Sequence, residues 1–386
     1  MTRLQGPEAF RTRLALATIT GRPLRLDAIR PGDPTSPGLR PWEASLLRLL
    51  EKVTSGAAVE INETGTSLKY RPGVILGGGP IHHACHPGRG LSFYLEPLLL
   101  ISLFARKPLS AVLSGVTDGG PDPSIDAWRA ATLPLVRRAV GLGVGVDAAT
   151  SLLAGGAAGE LSLRLTRRGV FPGGGGEVAF TAPALRGIPP LSLTDEGLVR
   201  RVRGVAFAAR TSPSAAARAV DGARGVLNAL LADVFIFTDH CPTAASGGPG
   251  PGFGVTLVAE TTSGALLAAE AGSATPGLGS EQAVGGRPRA PEEVGALAAR
   301  ALLATVDAGG AVGPSDQGLA FTLAALADAA ASEVRTGPLT PHAAAVLRAV
   351  RDLLGVTFAL RPDASTRTVL ATCVGAGVRN GARKAT

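Results

Sequence analysis

The sequence predicts a layered α/β protein: one helix-and-strand unit used three times, interrupted by a small inserted α/β domain. Three observations predict it. At 386 residues the chain exceeds the usual length of one domain. A set of helix-like and strand-like segments recurs along it. Between the second and third copies lies a stretch that breaks the period, with Gly/Pro-rich borders at Arg186–Pro190 and Gly285–Pro291. Hydrophobic residues at 45% against 18% charged favour a folded protein over a disordered one.

The elements follow in order. In the first copy, Thr20–Ile29 lies between an apolar helix-like run and a second one at Trp42–Val53, and strand-like alternation follows at Ala58–Asn62 and Ser67–Tyr70. The second copy reads as a helix at Leu95–Phe104, a strand at Arg106–Leu113 and a helix at Ile125–Val140, whose apolar positions recur every three and four residues. Strands at Leu161–Arg167 and Glu177–Thr181 complete it. The insertion carries a strand at Val199–Ala209, a helix at Ser214–Leu231, a strand at Val234–Thr238, and a strand pair at Gly254–Glu260 and Ala265–Glu270. A weaker third copy has helices at Glu292–Ala308, Asp316–Ala330 and Thr340–Leu354, with strands at Val356–Leu360 and Thr368–Thr372. Residues 1–182 and 286–386 are thus assigned to the main domain and 183–285 to the insert. Helices and sheets that each bury one face solve that problem by packing on each other.

The formal charge of +8 and pI near 10.2 favour an acidic partner such as nucleic acid. Most of that charge is arginine, whose planar fork suits phosphate, although GC-rich coding would give the same bias. Cys85, Cys241 and Cys373 are odd in number and far apart, which fits a reducing compartment better than a disulfide framework. No secretory leader is visible, and the longest apolar runs, such as Leu98–Phe104, fall well short of a membrane span. A soluble intracellular protein with no membrane partner is expected.

Several motifs could carry chemistry. Gly77–Gly79 and Gly173–Gly176 could set backbone amides against phosphate. The second run is the sharper one, since Arg167 and Arg168 lead into it and Glu177 closes it; a plain hairpin turn is the alternative. His82, His83, Cys85 and His86 crowd too closely for a zinc site, so no metal is expected and a loop with incidental histidines, or an RNA-facing patch with Arg89, is the reading. No nucleophile elbow, zincin motif or dinucleotide fingerprint is present. The aromatics, at 4%, are too sparse for a base-stacking platform, so any RNA contact should run from arginine to phosphate.

The segment Arg168-Gly-Val-Phe-Pro-Gly-Gly-Gly-Gly-Glu-Val178 resembles the signature of the RNA 3'-terminal phosphate cyclase superfamily. Thr20–Leu24, Pro37–Arg40, Phe93–Leu98, Thr194–Asp195, Asp233–Asp239, Pro251–Gly254 and Glu260–Gly264 resemble further family blocks in the family's order, from about Gly6 to Gly377. The cyclase-like, ribosome-biogenesis branch is the closer match. Gly6–Arg11 lacks the glycine run with which cyclases open, Gly173 stands where they carry Arg or Lys, and Gly38–Lys52 with Ile61–Thr66 is typical of that branch.

The resemblance implies a main domain of three units, each two helices on a four-stranded sheet, plus the inserted domain. It also implies a factor of the small-subunit processome in nucleus and nucleolus, required for pre-rRNA processing and binding pre-ribosomal RNA and a ribosome-assembly GTPase. Cyclase activity and cofactors are not expected. His342, however, aligns with the histidine that cyclases adenylylate, and Asp316-Gln317 resembles the element before it, so an ATP- and divalent-metal-dependent cyclase is the alternative. A part in endonucleolytic cleavage would need a base and a cation, for which His342, Arg348, Arg351 and Asp352 are nominated against a plain solvated helix face. A protein-only scaffold is the third hypothesis. Arg167, Arg168, Gly173, Gly174, Gly175, Gly176, Arg348 and Arg351 are the RNA or phosphate candidates.

Overall fold

The structure is a computed structural model and describes residues 1–143, 161–273 and 289–381. The expected border at 285–286 and the last residues of the basic tail lie outside the described residues.

The first unit runs β1 (Thr2–Gln5), α1 (Phe10–Thr20), β2 (Leu24–Asp27), α2 (Pro41–Val53), β3 (Thr54–Ser55), β4 (Ala58–Ile61), β5 (Leu68–Arg71) and β6 (Val74–Ile75). Its sheet has the order β1-β2-β5-β4, with β1 and β2 parallel and the other pairs antiparallel; β3 and β6 form a small ribbon beside it. The second unit repeats the plan. It comprises β7 (Gly78–Ala84), α3 (Leu91–Ser102), β8 (Leu109–Gly115), the helix α4 (Ile125–Ala127) running through a π-helical turn at Trp128–Thr132 into α5 (Leu133–Ala139), β9 (Ser162–Arg167) and β10 (Gly176–Ala182). The order is β7-β8-β10-β9, again with a leading parallel pair.

The third unit opens with the two-residue β11 (Ser192–Leu193) and is then interrupted. The interruption contains β12 (Val199–Ala209), α6 (Pro213–Leu227), β13 (Val234–Cys241), β14 (Gly252–Thr261), β15 (Leu266–Gly272) and α7 (Pro291–Asp307). The unit resumes with α8 (Gln317–Leu326), β16 (Ala331–Thr336), α9 (Pro341–Leu354), β17 (Ala359–Asp363) and β18 (Thr368–Val374), giving the order β11-β16-β18-β17.

The first helix of each unit sits at the centre. Every residue of α3 and α8 is buried, as is most of α1, which is what a helix apolar all round requires. The second helices α2 and α9 bury one stripe only: Leu46, Leu47, Leu49, Leu50 and Val53, and Ala343, Val346, Ala349, Val350 and Leu353. One core runs through all three units, from Leu14 and Leu49 through Leu98 and Phe180 to Phe321 and Val350.

The helix expected to open the third repeat belongs elsewhere. α7 packs with α6 on the β13-β12-β14-β15 sheet, sharing a core of Val202, Ala219, Ala223, Leu257, Val294 and Ala298. Gly295 permits the approach: a Cβ there would sit 1.9 Å from the Ala219 carbonyl oxygen. The opposite face of that sheet packs Val205 and Val258 on Ala130 and Ala131 of the π-helical turn, so the insert is covered on both sides.

Three smaller expectations are corrected. His82 and His83 lie within β7, not in a loop, and His83 is buried against Ser45. The third-unit helix stops at Leu326, and the alanine-rich segment after it enters β16. The strand expected at Val356–Leu360 lies at Ala359–Asp363. Among the described residues no helix is long and apolar enough to cross a membrane.

Candidate functional site

In each unit the first helix follows its leading strand, so helix N-termini gather at the carboxyl ends of the parallel strands, the usual ligand side of such sheets. The three-fold use of the unit brings five of them to one cleft of about 590 Å³. Pro7, Ala9, Phe10 and Arg11 come from the start of α1; Arg40, Trp42 and Glu43 from α2; Arg89 and Phe93 from α3; Pro314 and Ser315 from the turn before α8; Thr340 and His342 from α9. Arg30, Pro121, Asp122 and Pro123 complete the wall. Helix N-termini present unpaired N–H groups and a partial positive charge, and four guanidiniums stand with them against two lining carboxylates.

Each arginine is held in place by a carboxylate. Arg30 makes a bidentate pair with Glu43 at 2.9 and 2.6 Å and donates to the Gly38 carbonyl. Glu43 also accepts from the Arg40 backbone N–H at the start of α2, while the Arg40 guanidinium pairs with Asp33. Arg89 forks onto Asp122, and its plane lies 4.5 Å from the Phe93 ring centroid. Arg11 pairs with Glu96 at 2.8 Å, stands 3.8 Å from Asp122 and covers the same ring.

His342 sits on the first turn of α9, beside Gly318 of α8, where a Cβ would come within 3.1 Å of the imidazole. Its Nε2 lies 3.4 Å from Arg11 Nη2. A guanidinium can only donate, so Nε2 accepts and the ring is neutral with its proton on Nδ1. Burial, then the Arg11 charge, lowers its pKa, with Glu96 opposing. Gln317 braces this turn by donating to the Pro338 carbonyl and accepting from Thr340 N–H. Asp316 accepts from Thr132 at 2.7 Å, and burial pushes its carboxyl up to about 6.

The remaining nominated residues lie elsewhere. Arg348 and Arg351 are exposed further along α9. At 100° per residue they project about 120° and 180° away from His342, and Arg351 pairs with Asp352 at 3.0 Å. The structure therefore does not assemble His342, Arg348, Arg351 and Asp352 into one set.

Arg167, Arg168 and Gly173–Gly176 form the junction between the second unit and the insert, and none of them lines the cleft. Arg167 Nε donates to the Gly175 carbonyl at 2.6 Å. Gly175 has φ +74°, and a Cβ there would meet Pro249 Cδ at 2.4 Å. Arg168 is buried among Asp118, Asp126 and Asp239, at 3.1, 2.7 and 2.7 Å, under the Phe207 ring. Burial opposes its charge, but Asp126, Asp118 and Asp239 outweigh it and raise the pKa.

The residues that sequence reasoning missed are Arg11, Arg30, Arg40 and Trp42, with Arg89 noted only as part of a histidine-rich patch. Arg11, Arg40 and Trp42 fall inside blocks that carried the resemblance, but no spacing rule links them; the repeated topology does.

A cleft of arginines at converging helix N-termini, set in a thrice-repeated α/β unit, has the charge and the N–H donors that suit an anion. The chain belongs to the RNA 3'-terminal phosphate cyclase family, whose model matches residues 2–360, and to its cyclase-like branch. It is 42% identical to a probable RNA 3'-terminal phosphate cyclase-like protein of Arabidopsis thaliana, covering 100% of this chain and 99% of the relative. It is 40% identical to the RNA 3'-terminal phosphate cyclase-like protein of Homo sapiens, over 97% and 95% of the two chains. The relative named rRNA processing protein rcl1 in Schizosaccharomyces pombe is 37% identical over 98% and 97%.

Proposed function

We propose that this protein is a ribosome-biogenesis factor that holds pre-ribosomal RNA through phosphates in the arginine-lined cleft and serves small-subunit rRNA processing without cyclase turnover. The observation that carries the reading is the full-length likeness to cyclase-like relatives, one of them named for rRNA processing. The cleft supplies the chemistry: fixed guanidinium forks, pre-organised by carboxylates, that suit phosphate oxygens. Residence in nucleus and nucleolus, membership of the small-subunit processome and a ribosome-assembly GTPase partner belong to the same proposal.

The second reading, an ATP-dependent cyclase adenylylated on His342, is favoured by that residue's place in the cleft. Against it stand two contacts. The Nε2 lone pair already accepts from Arg11, and a nucleophile needs that pair free. Glu96 and Asp122, which face the imidazole, and Glu43 on the cleft wall each engage a guanidinium, a poor fit to a divalent metal. The four residues nominated for endonucleolytic action do not converge, and that action is not part of the proposal.

The experiment is a salt series of single-stranded RNA binding for the wild type and for Arg30→Met, paired with incubation in α-labelled ATP and divalent metal. RNA affinity should fall with salt, with a log–log slope of magnitude about 2–3, and Arg30→Met should flatten it by roughly one contact. Salt-independent or absent binding would point to a protein-only scaffold. Covalent label that disappears in His342→Ala would establish the cyclase instead.

A further inference from the structure

Trp42 lines the cleft and stands apart from its other aromatic. The Phe93 ring is covered by Arg89 and Arg11. Trp42 rests against the Gly88 backbone, where a Cβ would come within 2.7 Å of its Cε3, so only glycine lets the indole lie so close. Its other ring contact among the described residues is a tilted one with His86, at 6.2 Å. The indole is half-buried and is anchored by the first turn of α2, between Arg40 and Glu43. It is therefore an apolar surface in the wall of the same cleft that Arg30, Arg40 and Arg89 line.

The cleft's 590 Å³ lies in the range of pockets that enclose a whole small molecule, well beyond what one phosphate needs. We infer that Trp42 is a stacking platform for one unpaired base of a single-stranded RNA segment whose phosphates engage Arg30, Arg40 and Arg89. The inference deepens the proposed function and rests on it. Stacking is tolerant of base identity, since every base has a π-face. The cleft would thus favour an unpaired segment over a duplex, whose bases are already stacked on each other, without demanding one sequence.

The test uses the full chain with a short single-stranded RNA and with the same backbone made abasic. Of the two tryptophans, Trp128 is 3% exposed, so quenching of indole emission reports on Trp42. Intact RNA should quench and abasic RNA should not. Trp42→Ala should weaken intact RNA about tenfold while leaving abasic affinity unchanged, and Trp42→Phe should retain most of the binding. If Trp42→Ala binds intact RNA as the wild type does, or loses abasic RNA equally, the platform is overturned while the phosphate cleft stands. If the wild type binds neither RNA, both readings fall together. Should Trp42→Ala not fold, quenching in the wild type and retention in Trp42→Phe still decide the matter.

Discussion

Glu270 makes the junction between insert and main domain sensitive to pH. It lies on β15 and accepts from the Ser124 backbone N–H at 2.9 and 3.2 Å, with Thr256 Oγ1 at 3.4 Å. Burial pushes its carboxyl up to about 7; the Ser124 hydrogen bonds work against that shift, and Asp118 and Asp126 add to it. An unfolded glutamate titrates near 4.5. Below that pH both states are protonated and burial costs nothing. Between about 4.5 and 7 the unfolded state ionises first, so stability falls, and above 7 the full cost remains, at most about 3 kcal/mol at 1.36 kcal/mol per unit. Glu270→Gln keeps the shape and an acceptor for Ser124 while removing the charge. Urea unfolding at pH 5 and pH 8 should show the variant close to wild type at pH 5 and more stable by about 1–3 kcal/mol at pH 8. A difference of the same size at both pH values, or a variant less stable at pH 8, would refute the reasoning.

Arg168→Leu should cost about 3–5 kcal/mol, because Asp118 is left buried without its cation and Asp126 keeps only Arg129; chemical denaturation should show this deficit growing as pH rises through the titration of Asp118. Gly175→Val forces a β-branched residue to φ +74° and against Pro249, so limited proteolysis should cut the variant's 244–250 segment sooner, and stability should fall by about 1–3 kcal/mol. Arg11→Met removes the donor to His342 Nε2 and the charge that lowers its pKa; an NMR titration of the imidazole should move upward, and an unchanged midpoint would deny the contact.

Much of the fold was legible because its elements obey one period each. The apolar run through Leu95–Phe104 marks a central helix, and the alternation in β9 and β10 marks strands half-buried on a sheet. What failed, failed for identifiable reasons. Ala329–Ala331 favours helix by propensity, so the expected helix runs on to Ala330 and leaves β16, which begins at Ala331, unread as a strand; its pairing with β18 is what fixes it. α7 is amphipathic wherever it is placed. Only the glycine-mediated approach of Gly222 and Gly295 assigns it to the insert, and such contacts leave no local signal. The cleft was illegible for a third reason. Its residues span positions 7 to 342 and share no motif, being brought together by where five helices begin. The arginine excess sharpens the point: Arg168, Arg203 and Arg218 are matched to carboxylates at the insert's junction and surfaces, so they account for composition without marking a ligand. Arg11, Arg30, Arg40 and Arg89 are matched too. What distinguishes them is their place, lining one cleft where the positive ends of helices converge, and a count of charges cannot report that.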